Sequence, residues 1–326
     1  MGGKAFTSGL TPLDTPRMPP ELYYSLRDHC LCLLFPLYEE VATPIEAPSK
    51  TSYGDIDILV SQPKSSSKPP STRIIAKNLS AIRIFTTPGS HTTSFALPYP
   101  NRSDAYVQVD VHLCPPETFH WQLFHQSHGD LWNLLGTTIR PFGLTANDAG
   151  LHLRIPEIEE FNRKRGMLLM TRQPDEVLDF LGLDPDVYAQ PFESVEVMYE
   201  FVVACRFFRG ESYTRDELRA NDRKRMVQRD VYRRFVDEWL PANVTFVKTR
   251  PRETMPWLMR EHMQEAALER WGKKEKFEIR IGEWRRERRE LLGKQEGRQK
   301  RKDDALELEK YVGAWVNWLE GGGNVE

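Results

Sequence analysis

The sequence predicts an α+β fold: a mixed β-sheet body over residues 1–160, followed by a mostly α-helical, basic domain over residues 161–326. Three observations lead to it. Apolar residues alternate with period two in short runs as far as Cys114, the pattern of strands with one face in a core. From Glu117 onward the apolar period is helical. Charge is polarised: Cys205–Lys302 carries 28 Lys and Arg against 17 Asp and Glu, about +11, which leaves about −13 on the remainder of a chain whose net charge is −2. Such asymmetry favours a polyanionic partner for the back half. With 40% hydrophobic and 11% aromatic residues, there is enough apolar material for a true core.

The elements follow in order. Residues 1–19, rich in Gly, Pro and Thr, read as an irregular arm. Pro19-Pro20 opens a helix that runs to about Leu34, with Pro in the first turn where its missing N–H is harmless. Val41–Glu46 is a short strand candidate, which Pro44 weakens or puts on an edge. Asp55–Val60 is a strand, Gln62–Ser71 a polar loop and Thr72–Leu79 a short helix. Ile82–Phe85, Thr93–Leu97 and Ala105–Cys114 alternate as strands, the last ended by Pro115-Pro116. Glu117–Leu135 is one helix or two, broken near His128-Gly129, and Gly143–Ile155 combines turn signals with a short strand. Helices are expected at Pro174–Leu181, Ser194–Phe208, Arg215–Leu240, Pro256–Trp271 and Lys273–Leu319.

Several classes are set aside by composition. Cys30, Cys32, Cys114 and Cys205 give neither a disulfide framework nor a zinc spacing, and Cys30-x-Cys32 lies in an apolar helical run and reads as core. The opening Met-Gly-Gly-Lys-Ala-Phe is not a secretory pattern, and Phe6 breaks the myristoylation motif. The apolar run around Cys30–Tyr38 is too short to span a bilayer. No membrane association is expected, and the expected compartment is the cytoplasm or nucleus.

The chemistry is concentrated in Gly54-Asp55-Ile56-Asp57-Ile58-Leu59-Val60 and in Val107-Gln108-Val109-Asp110-Val111-His112. Side chains of a strand alternate faces, so Asp55 and Asp57 point one way while Ile56 and Ile58 point into a core. If the second run lies beside the first, Asp110 joins the pair. Three carboxylates on one face repel one another and resist burial. A hard divalent cation such as Mg²⁺ relieves that cost through oxygen ligands. A D-x-D pair supplies ligands shared by two metals, and a third Asp on a neighbouring strand completes the site for an attacking oxygen.

At these residues the chain resembles the DNA polymerase β-like nucleotidyltransferase superfamily, whose pattern is a Gly-Gly or Gly-Ser turn, then Asp-apolar-Asp-apolar, then a later apolar-Asp-apolar. Asp55-Ile56-Asp57-Ile58 and Val109-Asp110-Val111 match the last two parts. The resemblance implies a nucleotidyltransferase-like palm and an ATP- or other NTP-using enzyme with two Mg²⁺ ions. It implies Asp55 and Asp57 as ligands to both metals and Asp110 as ligand to the catalytic one. The glycine turn departs from the pattern. Gly2-Gly3 lies about fifty residues before the Asp pair rather than ten to fifteen, and Ser52-Tyr53-Gly54 is a partial substitute. Gly2, Gly3, Ser52 and Gly54 are therefore the expected nucleotide-binding residues, and Lys4 suits a triphosphate.

Other residues carry weaker signals. His112 shares the face of Asp110, and His125 and His128 share a helical spacing. The helices 215–240 and 284–302 carry dense Arg and Lys and are the expected contacts for RNA or another polyanion. Met226, Val227, Val231, Phe235 and Trp239 give the first of them an expected buried stripe. Arg298–Lys302 resembles a short nuclear-import signal. Two rivals accompany the enzyme reading: a catalytically inactive relative that binds nucleic acid or protein, and a glycosyltransferase that uses Asp-x-Asp on a sugar nucleotide. In the latter the pair usually follows an apolar strand, whereas here it begins one.

Overall fold

The computed structural model describes residues 3–8, 11–64, 69–245 and 260–320. The fold is α+β. Its centre is a mixed five-stranded sheet of β1 (Tyr38–Ala42), β2 (Asp55–Pro63), β3 (Arg83–Thr86), β4 (Thr92–Pro98) and β5 (Tyr106–Leu113), in the order β1-β2-β5-β4-β3. β2 and β5 are parallel and the other neighbours antiparallel. A parallel pair needs a crossover, and the chain makes it through α2 (Thr72–Asn78) and the β3–β4 hairpin.

One face of the sheet is apolar. Ile56, Ile58 and Val60 of β2, Val107, Val109 and Val111 of β5, and Phe95 and Leu97 of β4 pack with residues of α1 (Pro20–Leu34) and α2 in a single core. α1 begins at Pro20 and buries Tyr23, Cys30 and Leu34, spacings of seven and four that stay on one helical face. Cys32 is exposed, which corrects the expectation that both cysteines lie in the core. Residues two apart on a helix point nearly opposite ways, so only one of the pair can face the sheet. The edge strand lies earlier than Val41–Glu46: it ends at Ala42, just before Thr43-Pro44, where a residue without N–H cannot extend the ladder.

α3 (Phe119–Gln126) and α4 (Leu131–Ile139) are separated at the expected His128-Gly129 break. Both residues have left-handed backbones, with φ of 62° and 61°. A side chain on Gly129 would meet the Ala47 methyl at 2.7 Å. A smaller sheet orders β6 (Leu144–Asn147), β7 (Gly150–Arg154) and β8 (Met167–Thr171). β8 was not legible, because Met-Leu-Leu-Met-Thr is a continuous apolar run without alternation.

Helices occupy most of the remaining described chain, including Pro174–Leu181, Val195–Ala204, Ala220–Gln228, Arg260–Arg270 and the 47-residue Lys274–Glu320. The expected helix Arg215–Leu240 is instead broken at Arg229, whose backbone is extended, and resumes at Asp230–Arg234 before a π-helical turn at Phe235–Trp239. The break rotates the stripe out of line. Phe235 is fully buried, whereas Val227 is 87% exposed. No helix among the described residues is long and apolar enough to cross a membrane.

The chain divides into two compact units. One is Met1–Arg154 with Leu169–Ala267, which contains the five-stranded sheet. The other is Ile155–Leu168 with Leu268–Glu326. Inside this second unit the long helix is held to the 155–168 segment by Arg285 on Glu157 (2.9 Å), Arg165 on Glu287 (2.7 Å) and the Phe161–Trp284 ring pair, with Arg288 over Phe161. Most of that helix beyond residue 288 is exposed.

Candidate functional site

The second face of the central sheet carries the polar residues. β2 and β5 are in register so that Asp55 lies beside Gln108 and Asp57 beside Asp110. On the other side of β5, Ser94 of β4 lies beside Asp110 and Thr92 beside His112. Alternation within each strand then places Asp55, Asp57, Gln108, Asp110, His112, Ser94 and Thr92 on one face. The three aspartates converge: one carboxylate oxygen from each lies within 4.8 Å of the others. Asp57 is exposed to solvent and Asp55 and Asp110 are half-buried.

Each carboxylate has its own support. The Gly3 N–H donates to Asp55 Oδ2 at 3.1 Å. Gln108 Nε2 donates to both oxygens of Asp110 at 3.0 Å, and the Ser94 hydroxyl also bonds this carboxylate. Gln108 is in turn fixed by the Ala5 N–H, which donates to its Oε1 at 2.8 Å. The start of the arm, Gly3 to Ala5, is thus part of the site. It is pinned by Thr15 Oγ1 donating to the Gly3 carbonyl (2.7 Å) and by bridges Asp14–Ala105 and Met18–Tyr53.

The long sequence gap before the Asp pair closes in space. Gly3, with φ of 71°, packs backbone against backbone on Gly54, and an added Cβ would overlap the Gly54 carbonyl. Only glycine adopts that conformation without strain and leaves that approach open. Gly3→Ala is therefore expected to destabilise the protein by at least about 1 kcal/mol and to loosen the arm around Asp55. Urea denaturation measures the first and amide exchange at Ala5 the second. Unchanged stability and exchange would remove the arm from the site.

The remaining expected nucleotide contacts are placed as follows. Gly2 lies outside the described residues. Ser52 precedes β2, and its hydroxyl and carbonyl oxygens both accept hydrogen bonds from Arg17. Gly54 is buried against Gly3, and Lys4 is exposed. His112 Nδ1 is 2.7 Å from Thr92 Oγ1, His125 pairs with Asp148 at 3.5 Å, and His128 is buried on the Tyr188 carbonyl at 2.8 Å. Each of these histidines has a protein partner.

Two groups beside the aspartates were not anticipated. Glu46 accepts from the Tyr23 hydroxyl and pairs with Lys50, whose Nζ lies 4.9 Å from the centre of the Tyr53 ring. Both lie in the β1–β2 connection, where no periodicity marks them. Gln108 was readable in principle, as it stands two residues from Asp110 on the same strand face.

The electrostatics follow from crowding. Burial raises the Asp55 and Asp110 carboxyls above the usual range, although hydrogen bonds from Gly3, and from Ser94 and Gln108, oppose the rise. Asp57 is pushed up to about 7: protein atoms crowd round its carboxyl and strip part of its hydration although its surface reaches solvent, and the charges of Asp55, Asp110 and Glu46 add to the rise. Its ordinary value is 3.8. The folded chain therefore holds a proton that the unfolded chain releases, and stability falls as pH rises through the interval from about 4 to about 7. In EDTA, Tm at pH 8 is expected to lie below Tm at pH 5 by more in the wild type than in Asp57→Asn, since the amide carries no charge at either pH. Equal pH slopes in the two proteins would show that Asp57 does not titrate in this window.

Three carboxylates with raised proton affinity, converging on one open point, match the donor set of a hard divalent cation. No protein-family model matches the chain, and no curated protein matches it in sequence.

Proposed function

We propose that the protein is a Mg²⁺-dependent nucleotidyltransferase of the DNA polymerase β-like type, which transfers a nucleoside monophosphate from a nucleoside triphosphate to a hydroxyl-bearing acceptor. One observation carries the reading: Asp55, Asp57 and Asp110, from two strands adjacent only in space, bring carboxylate oxygens within 4.8 Å of each other. The donor set suits a pair of Mg²⁺ ions: Asp55 and Asp57 would hold both, and Asp110 would hold the one that serves the acceptor. When bound, the ions neutralise the phosphate oxygens and lower the pKa of the attacking hydroxyl.

The chain's own residues do the rest. Asp110, aimed by Ser94 and Gln108, orients the acceptor hydroxyl and takes its proton. The acceptor oxygen forms a bond to the α-phosphorus as the bond to the β-phosphate oxygen breaks, and pyrophosphate leaves with the electron pair. Gly3, Ser52 and Gly54 border the Asp55 side and would meet the triphosphate, as would Gly2, the neighbour of Gly3 in sequence. The exposed Arg286, Arg289, Lys294, Arg298 and Lys300 of the 284–302 segment support contact with RNA or another polyanion. The 215–240 segment supports it less: Arg215, Arg225, Arg229, Arg233 and Arg234 each pair with an internal carboxylate.

The test is transfer of label from each of the four α-³²P nucleoside triphosphates to cellular RNA, to protein and to small hydroxyl compounds, with Mg²⁺ or with EDTA. Label in one acceptor fraction, abolished by EDTA, is the expected result. Label that persists in EDTA would sink the mechanism. A second reading, a catalytically inactive relative that binds a partner, is favoured by one feature: the Gly3 N–H and the Ser52 oxygens already have protein partners. Metal-dependent nucleotide binding without transfer to any acceptor would select it.

A further inference from the structure

Lys50 has no role in the reading above. It lies in the connection that leads from β1 into Asp55 of β2, and β1 borders β2 on the side away from β5 and Asp110. That connection is held at the turn between α3 and α4, where the Ile45 carbonyl accepts from the His128 N–H at 2.7 Å and Ala47 packs on Gly129, and the Lys50 charge acts on Asp55 and Asp57. Asp110 is held from its own strand and from β4, by Gln108 and beside Ser94. The site is therefore asymmetric. Its Asp110 flank is neutral and hydrogen-bonding, and its Asp55–Asp57 flank carries the Lys50–Glu46 pair.

The local structure holds this pair ready. Lys50 follows Ser49, whose φ is 58°, a left-handed residue in the turn that leads into β2. Its ammonium bridges Glu46 and the face of Tyr53. Tyr53 is buried and stacked on Tyr23 with ring centroids 3.8 Å apart, and Tyr23 also donates to Glu46. The Tyr53 cradle of the ammonium is thus fixed by α1, while the Lys50 side chain remains 36% exposed. A cation over an aromatic face with a single carboxylate partner is well placed to exchange that partner for a more highly charged anion.

We propose that Lys50 is a triphosphate-binding residue: its ammonium leaves Glu46 for the β- and γ-phosphates and neutralises the departing pyrophosphate. This rests on the nucleotidyltransferase reading. The acceptor lies on the Asp110 flank, so the leaving group must lie opposite, on the Asp55–Asp57 flank where Lys50 stands. Glu46 then acts as a placeholder that keeps an unliganded cation from collapsing onto the aspartates.

Calorimetric titration of the full chain tests it with two probes, Mg²⁺ alone and magnesium tripolyphosphate, which has neither base nor sugar. Lys50→Ala is expected to weaken tripolyphosphate about 10- to 100-fold, the span of one charge-assisted hydrogen bond, and to leave Mg²⁺ binding equal or tighter, because a repelling charge is gone. Lys50→Arg should restore tripolyphosphate binding to within a few-fold. Glu46→Gln, which keeps an acceptor for Tyr23, should tighten tripolyphosphate and not weaken it. Opposite signs for the two members of one ion pair are not produced by simple loss of structure. Unchanged tripolyphosphate affinity in Lys50→Ala, with the wild type binding normally, overturns the role of Lys50 alone, as does parallel loss of both probes. A wild type that binds neither tripolyphosphate nor any nucleoside triphosphate overturns the nucleotidyltransferase reading and this role with it.

Discussion

Asp57→Asn is expected to lower nucleotide transfer by at least about 10³-fold while the protein stays folded. Asp57 is the central carboxylate, the one whose charge is opposed by both Asp55 and Asp110. In the proposed site it is shared by both ions, so its loss removes stabilisation from the nucleotide and the acceptor together. Metal stabilisation of transition-state charge amounts to several kcal/mol, and each 1.36 kcal/mol is a factor of ten in rate. The amide has nearly the same shape, and Asp57 lies on the solvent face of β2 while Ile56 and Ile58 hold the strand in the core. The defect should therefore appear in single-turnover rate and in Mg²⁺ affinity, not in the circular dichroism spectrum. Transfer within tenfold of wild type would mean that the aspartates converge for some reason other than catalysis.

That geometry was legible because it depends on local rules. Period-two alternation fixes which face Asp55 and Asp57 share, and the apolar neighbours Ile56 and Ile58 fix that the opposite face is buried. The same rules located the Asp110 strand. What the sequence could not disclose is the set of contacts that depend on chain crossing. Nothing near Gly3 announces that it will sit on Gly54 and donate to Asp55, 52 residues away. Ser94 reaches Asp110 only through the β4–β5 register. Glu46 and Lys50 lie in a connection with no pattern to read. The broken helix at 215–240 is a similar case. Its composition is helix-forming throughout, and the interruption at Arg229 coincides with that residue's ion pair to Asp130 at 2.6 Å, a tertiary demand that overrides propensity.

The same region yields the largest expected loss of stability, from Asp222→Ala. Asp222 is 1% exposed, at the floor of a cleft of about 320 Å³ that is also lined by Thr137, Arg140, Arg209 and Arg219. Its carboxylate pairs with Arg140 and with Arg225 at 2.6 Å, and accepts from Thr137 Oγ1 at 3.3 Å. Thr137 also meets the Tyr232 hydroxyl at 2.9 Å. One buried anion, with Thr137, thus ties α4 to both halves of the interrupted helix, which is why Arg225, one of the arginines that look from sequence like a phosphate-binding face, is turned inward. Removing one partner of a buried pair leaves the other charged and uncompensated, at a cost of about 3–5 kcal/mol. The low end, about 3 kcal/mol, is expected here, because the Arg140 and Arg225 side chains are 14% and 26% exposed and keep some access to water. Urea denaturation should show a lower midpoint with an unchanged m-value. The triple variant Asp222→Leu with Arg140→Met and Arg225→Met should recover much of the loss, since apolar side chains of similar volume in place of all three charges strand none of them. If the single variant loses less than about 1 kcal/mol, the buried carboxylate does not hold these helices together.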